Sequence, residues 1–329
     1  MLGVHEAFTW RDGERLIRFK RGALAEAVEV LEGPGYALLT TERAAAAAPA
    51  VVEAAAVVHH VPGGLVDEIA AGLLGEIGDA DRIVALGGGR VIDTAKALAA
   101  ARGGRAMAIP TTLSGAEMTR IHRLPAGVRA PLVRPAVVVN DPALSASQPP
   151  EELAASALNA LGHVAEAPCT RMANPVATLA ALYGGRLLAG AWASGQPDRD
   201  ALARGALLAG YAIDSAAYGL HHVLSQTLVR VGGIGHGPAN AIMLPHTLGA
   251  LAWRFPHQHP SLCDAVGGDP AEVAARLCAL TGATTLGALG LTHDDIVACA
   301  DAAAERAELD LTPPRADRAE LVALYDAAL

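Results

Sequence analysis

Asn159, His163, His221, His222, Gln226 and His236 have types and spacings that could hold a metal ion or move a proton. Asn159 and His163 are four apart, so in a helix they share a face. His221 and His222 are adjacent and lead into Val223-Leu224-Ser225-Gln226. His236 follows the turn Gly232-Gly233-Ile234-Gly235, and His246 stands after Leu244-Pro245. Three imidazoles and an amide oxygen suit a divalent transition metal such as Fe2+ or Zn2+. A lone helical histidine is more often a packing residue than a ligand; several at helical spacing within one stretch shift the balance toward function.

A second set is Gly87-Gly88-Gly89-Arg90-Val91-Ile92-Asp93-Thr94-Ala95-Lys96. Three glycines between a strand and a helix let backbone N–H groups approach a phosphate at the positive helix end. The run is not the GxGxxG dinucleotide pattern, and a plain tight turn is the competing reading. Asp93, one turn into the helix, is placed to reach a ribose or the nicotinamide end. A third set is Pro110-Thr111-Thr112-Leu113-Ser114-Gly115-Ala116-Glu117-Met118-Thr119. The hydroxyls of Thr111, Thr112 and Ser114, with Met118 closing the loop, can line a nucleotide. Alternatively, Ser114 and Glu117 have the spacing of a helix capping box.

The elements that must position these residues change character along the chain. Up to about residue 148, short apolar runs alternate with helical stretches. Strands are expected at 36–41, partly at 55–61, at 82–89, 105–110 and 135–140, with helices at 42–56, 65–77 and 91–101. Such alternation predicts a parallel sheet covered on both faces. From Pro149 onward the pattern is helical, with helices expected at 151–167, 175–194, 199–217, 219–229, 238–252, 271–281 and 294–308. Pro149-Pro150 before Glu151-Glu152 makes a good helix entrance. The expected organisation is therefore an α/β nucleotide-binding domain over 1–148 and an all-helical metal and substrate domain over 149–329.

Composition narrows the function. The 329 residues carry a formal charge of −9 and are 52% hydrophobic but only 3% aromatic. Disorder is excluded by the apolar content, and the acidic balance with few stacking side chains argues against a nucleic-acid partner. Cys169, Cys263, Cys278 and Cys299 lack CxxC spacing and read as buried thiols of a reducing compartment. The apolar stretch 44–58 is broken by Pro49 and Glu53 and is too short to cross a bilayer. Acidic Glu6 and the lack of an apolar run near the start show no signal peptide. A cytoplasmic protein with no membrane partner is the expectation.

The ordered motifs GGGRVIDTAKA, PTTLSGAEMT, NDPAL, NALGHVAEA, HHVLSQ and GHGPANAIMLPH resemble the iron-containing alcohol dehydrogenase family, most closely its maleylacetate reductase branch. The resemblance runs from about Phe19 to His246. It implies a Rossmann-like parallel sheet followed by an all-helical domain, an architecture shared with dehydroquinate synthase. It implies NAD(H) or NADP(H), with the pyrophosphate at Gly88 and Gly89, the nucleotide lined by Thr111, Thr112 and Ser114, and Asp93 near the nicotinamide ribose. Thr40 and Thr41 fall where the adenosine ribose is contacted. Glu42 favours a free 2′-hydroxyl and Arg43 a 2′-phosphate. His163, His222 and His236 match the family's metal-ligating histidines, the last two fourteen apart. A homodimer is also implied.

The chain departs from the family in three places. Asn159 stands where the alcohol dehydrogenases have an aspartate, which removes one negative charge from the ligand set. Gln226 replaces a histidine and cannot titrate, so it cannot act as acid or base. Arg90 replaces a serine beside the phosphates. The activity implied is reduction of the C=C bond of maleylacetate, or a similar unsaturated oxo acid, to 3-oxoadipate. A dicarboxylate needs cationic anchors, for which Arg120, Arg123 and Arg230 are candidates. His221, His222 or a water held by Gln226 would deliver the proton. The alternatives are a metal-dependent alcohol dehydrogenase, a dehydroquinate-synthase-like cyclase and a redox-inactive nucleotide-binding homologue. Only two lysines, Lys20 and Lys96, are present, which counts against the cyclase.

Overall fold

A computed structural model of the chain describes residues 6–329; the leader reading rests partly on residues 1–5, which lie outside the described residues. The chain divides into two compact units between Gln148 and Pro149.

The first unit is built on a seven-stranded sheet in the order β1-β2-β7-β6-β5-β3-β4. The strands are β1 (Phe8–Asp12), β2 (Arg15–Phe19), β3 (Ala37–Thr40), β4 (Val57–His60), β5 (Arg82–Gly87), β6 (Arg105–Pro110) and β7 (Val137–Asn140). Every pairing is parallel except the β1–β2 hairpin. Alternate residues of β5 enter opposite cores. Val84 and Leu86 pack with Leu38, Met107, Ile109 and Val139. Ile83 and Ala85 pack with Val91, Ile92, Ala95 and Leu98. This period of two is the signature of a strand covered on both faces.

The unit's helices are α1 (Ala27–Val30), α2 (Glu42–Ala47), α3 (Pro49–Glu53), α4 (Val66–Leu73) and α5 (Gly89–Arg102). The single helix expected over 42–56 is two. Ala48, held by the following proline, sits at φ −142 and ψ 58, outside the helical region. The hairpin had no counterpart in the strand assignments, although Asp12-Gly13 between alternating apolar residues is a turn signal. Gly13 turns there at φ +60.

The second unit is helical: α6 (Pro150–Glu166), α7 (Pro175–Gly190), α8 (Arg199–Ala216), α9 (Leu220–Arg230), α10 (His236–Arg254), α11 (His259–Val266), α12 (Pro270–Ala279), α13 (His293–Ala304) and α14 (Arg318–Asp326). Pro150, Glu151 and Glu152 occupy the first turn of α6. α10 begins at His236, two residues earlier than expected, and runs on through Pro245; α11 and α14 were not foreseen. Leu220, Val223, Leu224 and Leu228 put one stripe of α9 into a core with Ile242, Met243, Ile296, Leu321 and Tyr325. That spacing turns His222 and Gln226 toward another face. Cys263 and Cys278 are partly exposed, contrary to the expectation that all four thiols are buried. Among the described residues no helix is long and apolar enough to cross a membrane.

Candidate functional site

In the first unit, adjacency of β3, β5 and β6 brings their carboxyl ends together, and with them Thr40-Thr41, Gly87 to Gly89 and Thr111 to Ser114. Ligands of parallel sheets bind at this end. The glycines are required by close packing. A Cβ on Gly88 would lie 2.9 Å from Thr112 Cγ2, and one on Gly89 3.1 Å from Ser114 Cβ. The Thr111 N–H donates to the Gly87 carbonyl at 3.0 Å, tying the two loops. α5 has no side-chain cap and no acid in its first turn. Its leading N–H groups and positive dipole end therefore suit a phosphate.

Two buried cations hold this edge in place, and neither was singled out from the sequence. Lys96, fully buried, donates to the carbonyls of Ala116 (2.9 Å), Thr119 (3.0 Å) and Ile121 (3.0 Å), and pairs with Asp93 at 2.7 Å. Arg15 donates to the carbonyls of Pro135 (3.0 Å), Glu117 (3.0 Å) and Met118 (3.4 Å). Burial pushes the Glu117 carboxyl up to about 7.

Several expectations for this unit change. Thr40 is fully buried and donates to the Leu86 carbonyl, so its hydroxyl is closed to a ribose. Thr41 caps α2, its hydroxyl accepting the Ala44 N–H. Met118 is fully buried beneath the loop, its Sδ accepting from Arg15, and forms the floor of the site instead of a nucleotide contact. Asp93 is engaged by Lys96. The capping box does not form: Gly115 caps the 3-10 turn Ala116–Met118 without a side-chain bond. Arg90 is exposed at the start of α5. Arg120 and Arg123 are exposed in the segment that follows the loop.

In the second unit, α6 supplies Asn159, His163 and Glu166, α9 supplies His221, His222 and Gln226, and α10 supplies His236. The keystone is Glu166, which the sequence reading passed over. It lies three residues beyond His163 on the same face of α6, and that spacing was the available signal. Its Oε1 accepts the N–H groups of Gly219 (3.1 Å) and His221 (2.8 Å), and its Oε2 takes His222 Nδ1 at 2.5 Å. Burial raises the Glu166 carboxyl, against the pull of His221 and the amide donors; its bond to Nδ1 leaves Nε2 as the unengaged nitrogen of the His222 ring.

His222 Nε2 and His163 Nδ1 are buried without any hydrogen-bond partner. The two rings stack at 4.7 Å between centroids. Burial pushes the His222 imidazole down to about 3 and the His163 and His236 imidazoles below their usual range. His236 Nε2 lies 3.2 Å from Asn159 Oδ1 and 3.1 Å from Asn240 Nδ2. One ring nitrogen cannot serve both. Neutral rings, orphaned nitrogens and a carboxylate behind one of them have the chemistry of a divalent-metal site, but the ring nitrogens of His163, His222 and His236 do not all close within 4.8 Å of one another, and the neutral Asn159 amide would be a weaker fourth donor than a carboxylate.

His221 is not a proton donor. It is fully buried, with Nδ1 at Thr247 Oγ1 (2.9 Å) and Nε2 at Asn240 Oδ1 (3.1 Å). Gly162 makes room for this ring, since a Cβ there would lie 2.8 Å from His221 Cδ2. Gln226 is also committed: its Oε1 accepts from Arg306 at 3.1 Å, and Arg306 is held by Glu308 at 2.7 Å. Arg306 reaches the Tyr218 hydroxyl at 3.4 Å, and the Tyr218 ring lies 5.6 Å from His222. Arg306 and Glu308 were not foreseen. Arg230 is exposed at the last turn of α9, one turn beyond Gln226.

Comparison with known proteins agrees with the fold. The family model described as "Iron-containing alcohol dehydrogenase" matches residues 16–142. That described as "Fe-containing alcohol dehydrogenase family, C-terminal" matches residues 153–329. The chain is 35% identical over 240 residues to maleylacetate reductase 1 of Rhodococcus opacus, covering 69% of this chain and 67% of that protein. It is 36% identical over 256 residues to the maleylacetate reductase of Sphingobium indicum, covering 74% and 72%. Among solved structures, maleylacetate reductase from Agrobacterium tumefaciens superposes with a TM-score of 0.83 at 29% identity, covering 98% of this chain and 97% of that one.

Proposed function

The chain belongs to the iron-containing alcohol dehydrogenase family and is an oxidoreductase, and from that premise we propose that it reduces the C=C bond of maleylacetate, or of a closely similar unsaturated oxo acid, at the expense of NAD(P)H. The similarity to maleylacetate reductases over more than two thirds of their length carries this reading. In the balanced reaction a hydride goes to the alkene carbon remote from the ketone, a proton goes to its neighbour, and NAD(P)+ is released. A bound reduced nicotinamide supplies the hydride. A bound divalent metal would supply a Lewis acid for a substrate oxygen.

The chain's own residues do the rest. The N–H groups at the start of α5, flanked by Gly88, Gly89 and Ser114, bind the pyrophosphate, with Thr111 and Thr112 lining the nucleotide and Thr41 beside its ribose. Glu166 fixes the His222 ring so that Nε2 is left unengaged, for a metal or for a proton in transit. Arg306 and Tyr218 orient Gln226, whose amide N–H2 would hold a water or a substrate carboxylate. Arg120, Arg123 and Arg230 are the proposed anchors for the dicarboxylate. The remaining partner is a second copy of the chain, in a homodimer.

The test is to follow NADH and NADPH oxidation with maleylacetate, and separately with short aldehydes, before and after chelation. Turnover of maleylacetate with either nucleotide supports the reading, and turnover that survives chelation makes the enzyme metal-independent. Activity on aldehydes alone, restored by iron or zinc, would replace the reading with a metal-dependent alcohol dehydrogenase.

A further inference from the structure

A second group of metal-donor side chains converges away from the histidine cluster. His259 Nε2, Cys263 Sγ and an Asp269 carboxylate oxygen all lie within 4.8 Å of one another. His259 Nε2 is 3.4 Å from Cys263 Sγ and 3.6 Å from Asp269 Oδ2. Tetrahedral zinc has bonds of about 2.0–2.1 Å to nitrogen, about 2.3 Å to sulfur and about 2.0–2.2 Å to oxygen, which places neighbouring donors about 3.4–3.6 Å apart. We propose that His259, Cys263 and Asp269 form a separate zinc-type site, with three protein donors and a fourth position open to water.

Local structure builds the triangle from eleven consecutive residues. His259 and Cys263 are four apart on α11 and so share a face. Gly267 ends that helix in the left-handed region at φ +76, and its N–H and that of Gly268 close on the Cys263 carbonyl. The reversal returns the chain so that Asp269 stands opposite His259. Asp269 caps α12 with Oδ1, which accepts the N–H groups of Ala271 (2.9 Å) and Glu272 (3.1 Å), leaving Oδ2 for the triangle. The carboxylate is thus held by the fold while half of it remains available.

The surroundings suit a cation of intermediate softness. His259 also lines a mostly apolar hollow with Cys169, Leu248, Leu251, Phe255 and Leu262. The side chains of His259 and Asp269 are 29% and 43% exposed, so solution has access to them. One sulfur, one imidazole and one carboxylate select zinc or cobalt over magnesium or calcium, whose ligands are oxygens. Desolvation and the neighbouring Asp269 and Asp264 carboxylates raise the Cys263 thiol, so without a cation it stays protonated. Binding exchanges the S–H bond for an S–metal bond and releases the proton to solvent, with no change of oxidation state.

Cobalt(II) is the probe, because the donors around His222 include no sulfur. Titrated into the reduced, full-length protein, Co2+ is expected to produce a thiolate-to-cobalt charge-transfer band in the near ultraviolet that Zn2+ abolishes by displacement. Cys263→Ser should remove the band, while His163→Ala, in the other cluster, should keep it. Losing even an outer partner of a metal ligand costs about tenfold or more in affinity, so His259→Ala and Asp269→Asn should weaken binding by at least that factor. Asparagine still caps a helix, so Asp269→Asn tests the ligand without removing the cap. With the other cluster disabled by His163→Ala, excess Zn2+ should raise the melting temperature, and adding Cys263→Ser should remove that rise. No band in the native chain, a band surviving Cys263→Ser, or one lost in His163→Ala would overturn the assignment.

Discussion

The two units build their sites in opposite ways. At the sheet edge the recognition atoms are backbone N–H groups, and buried cations support them from beneath: Lys96 and Arg15 together tie down six loop carbonyls. In the helical unit the recognition atoms are side chains, and two imidazole nitrogens there have no partner. A phosphate is gripped by geometry that the backbone must hold rigidly. A metal or a proton in transit needs lone pairs left open. The first kind of site fails when its support goes, the second when its donors go.

The largest expected effect separates these failures. His222→Ala should lower turnover by about 10²–10⁴-fold, the range of a positioned acid or base, while NADH binding, read by fluorescence titration, stays intact. Unaffected turnover would remove His222 from the mechanism. Lys96→Met, in contrast, leaves three buried carbonyls unpaired and Asp93 without its cation, a loss of about 3–5 kcal/mol. Denaturant melts should record it, and nucleotide binding should fall with it. A normal melt would show that the loop needs no such tie.

Smaller changes sharpen the contrast. Glu166→Gln should cost about 10–100-fold in turnover or metal affinity, because it frees the His222 ring; no change would deny Glu166 its positioning role. Gly88→Ala forces Thr112 aside and should weaken NADH binding about tenfold, or about 1.4 kcal/mol, with turnover at saturating nucleotide little altered.

The smallest effects lie in pH. Glu117, raised to about 7 by burial, favours the folded state most below its ordinary value of 4.5, and that advantage is lost as pH rises through about 7. Glu308, drawn down to about 2 chiefly by its hydrogen bond from Arg306, contributes above 4.5 and loses its contribution as pH falls through about 2. Its side chain is 34% exposed, so solvent screens much of the effect. Glu117→Gln should flatten the neutral limb of the stability curve and Glu308→Gln the acid limb. The same curve in both variants as in the native chain would refute the assignment of these limbs.

Legibility in the sequence followed the same division. The triple glycine and the hydroxyl loop were readable because local steric needs leave fixed residue types at fixed places. The helical donors were readable as candidates because Asn159, His163, His222 and His236 lie at helical or family spacing. What escaped was supplied by distant segments. Arg15 meets Met118 across 103 residues, Glu166 meets His222 across 56, and Arg306 meets Gln226 across 80. No periodicity reports such pairings. The same is true of the closure of His221 by Thr247 and Asn240, which turns an apparent proton donor into a packed support. His259, Cys263 and Asp269 were local and still missed, since only CxxC spacing was sought among the cysteines.

The most direct test of the central claim is the fate of the hydride. Maleylacetate turned over with nicotinamide nucleotide deuterated at the transferable position should give 3-oxoadipate with deuterium on the former alkene carbon remote from the ketone, and with the ketone intact. Deuterium on a carbinol carbon, with the double bond retained, would show a carbonyl reductase of the alcohol dehydrogenase type and contradict the account.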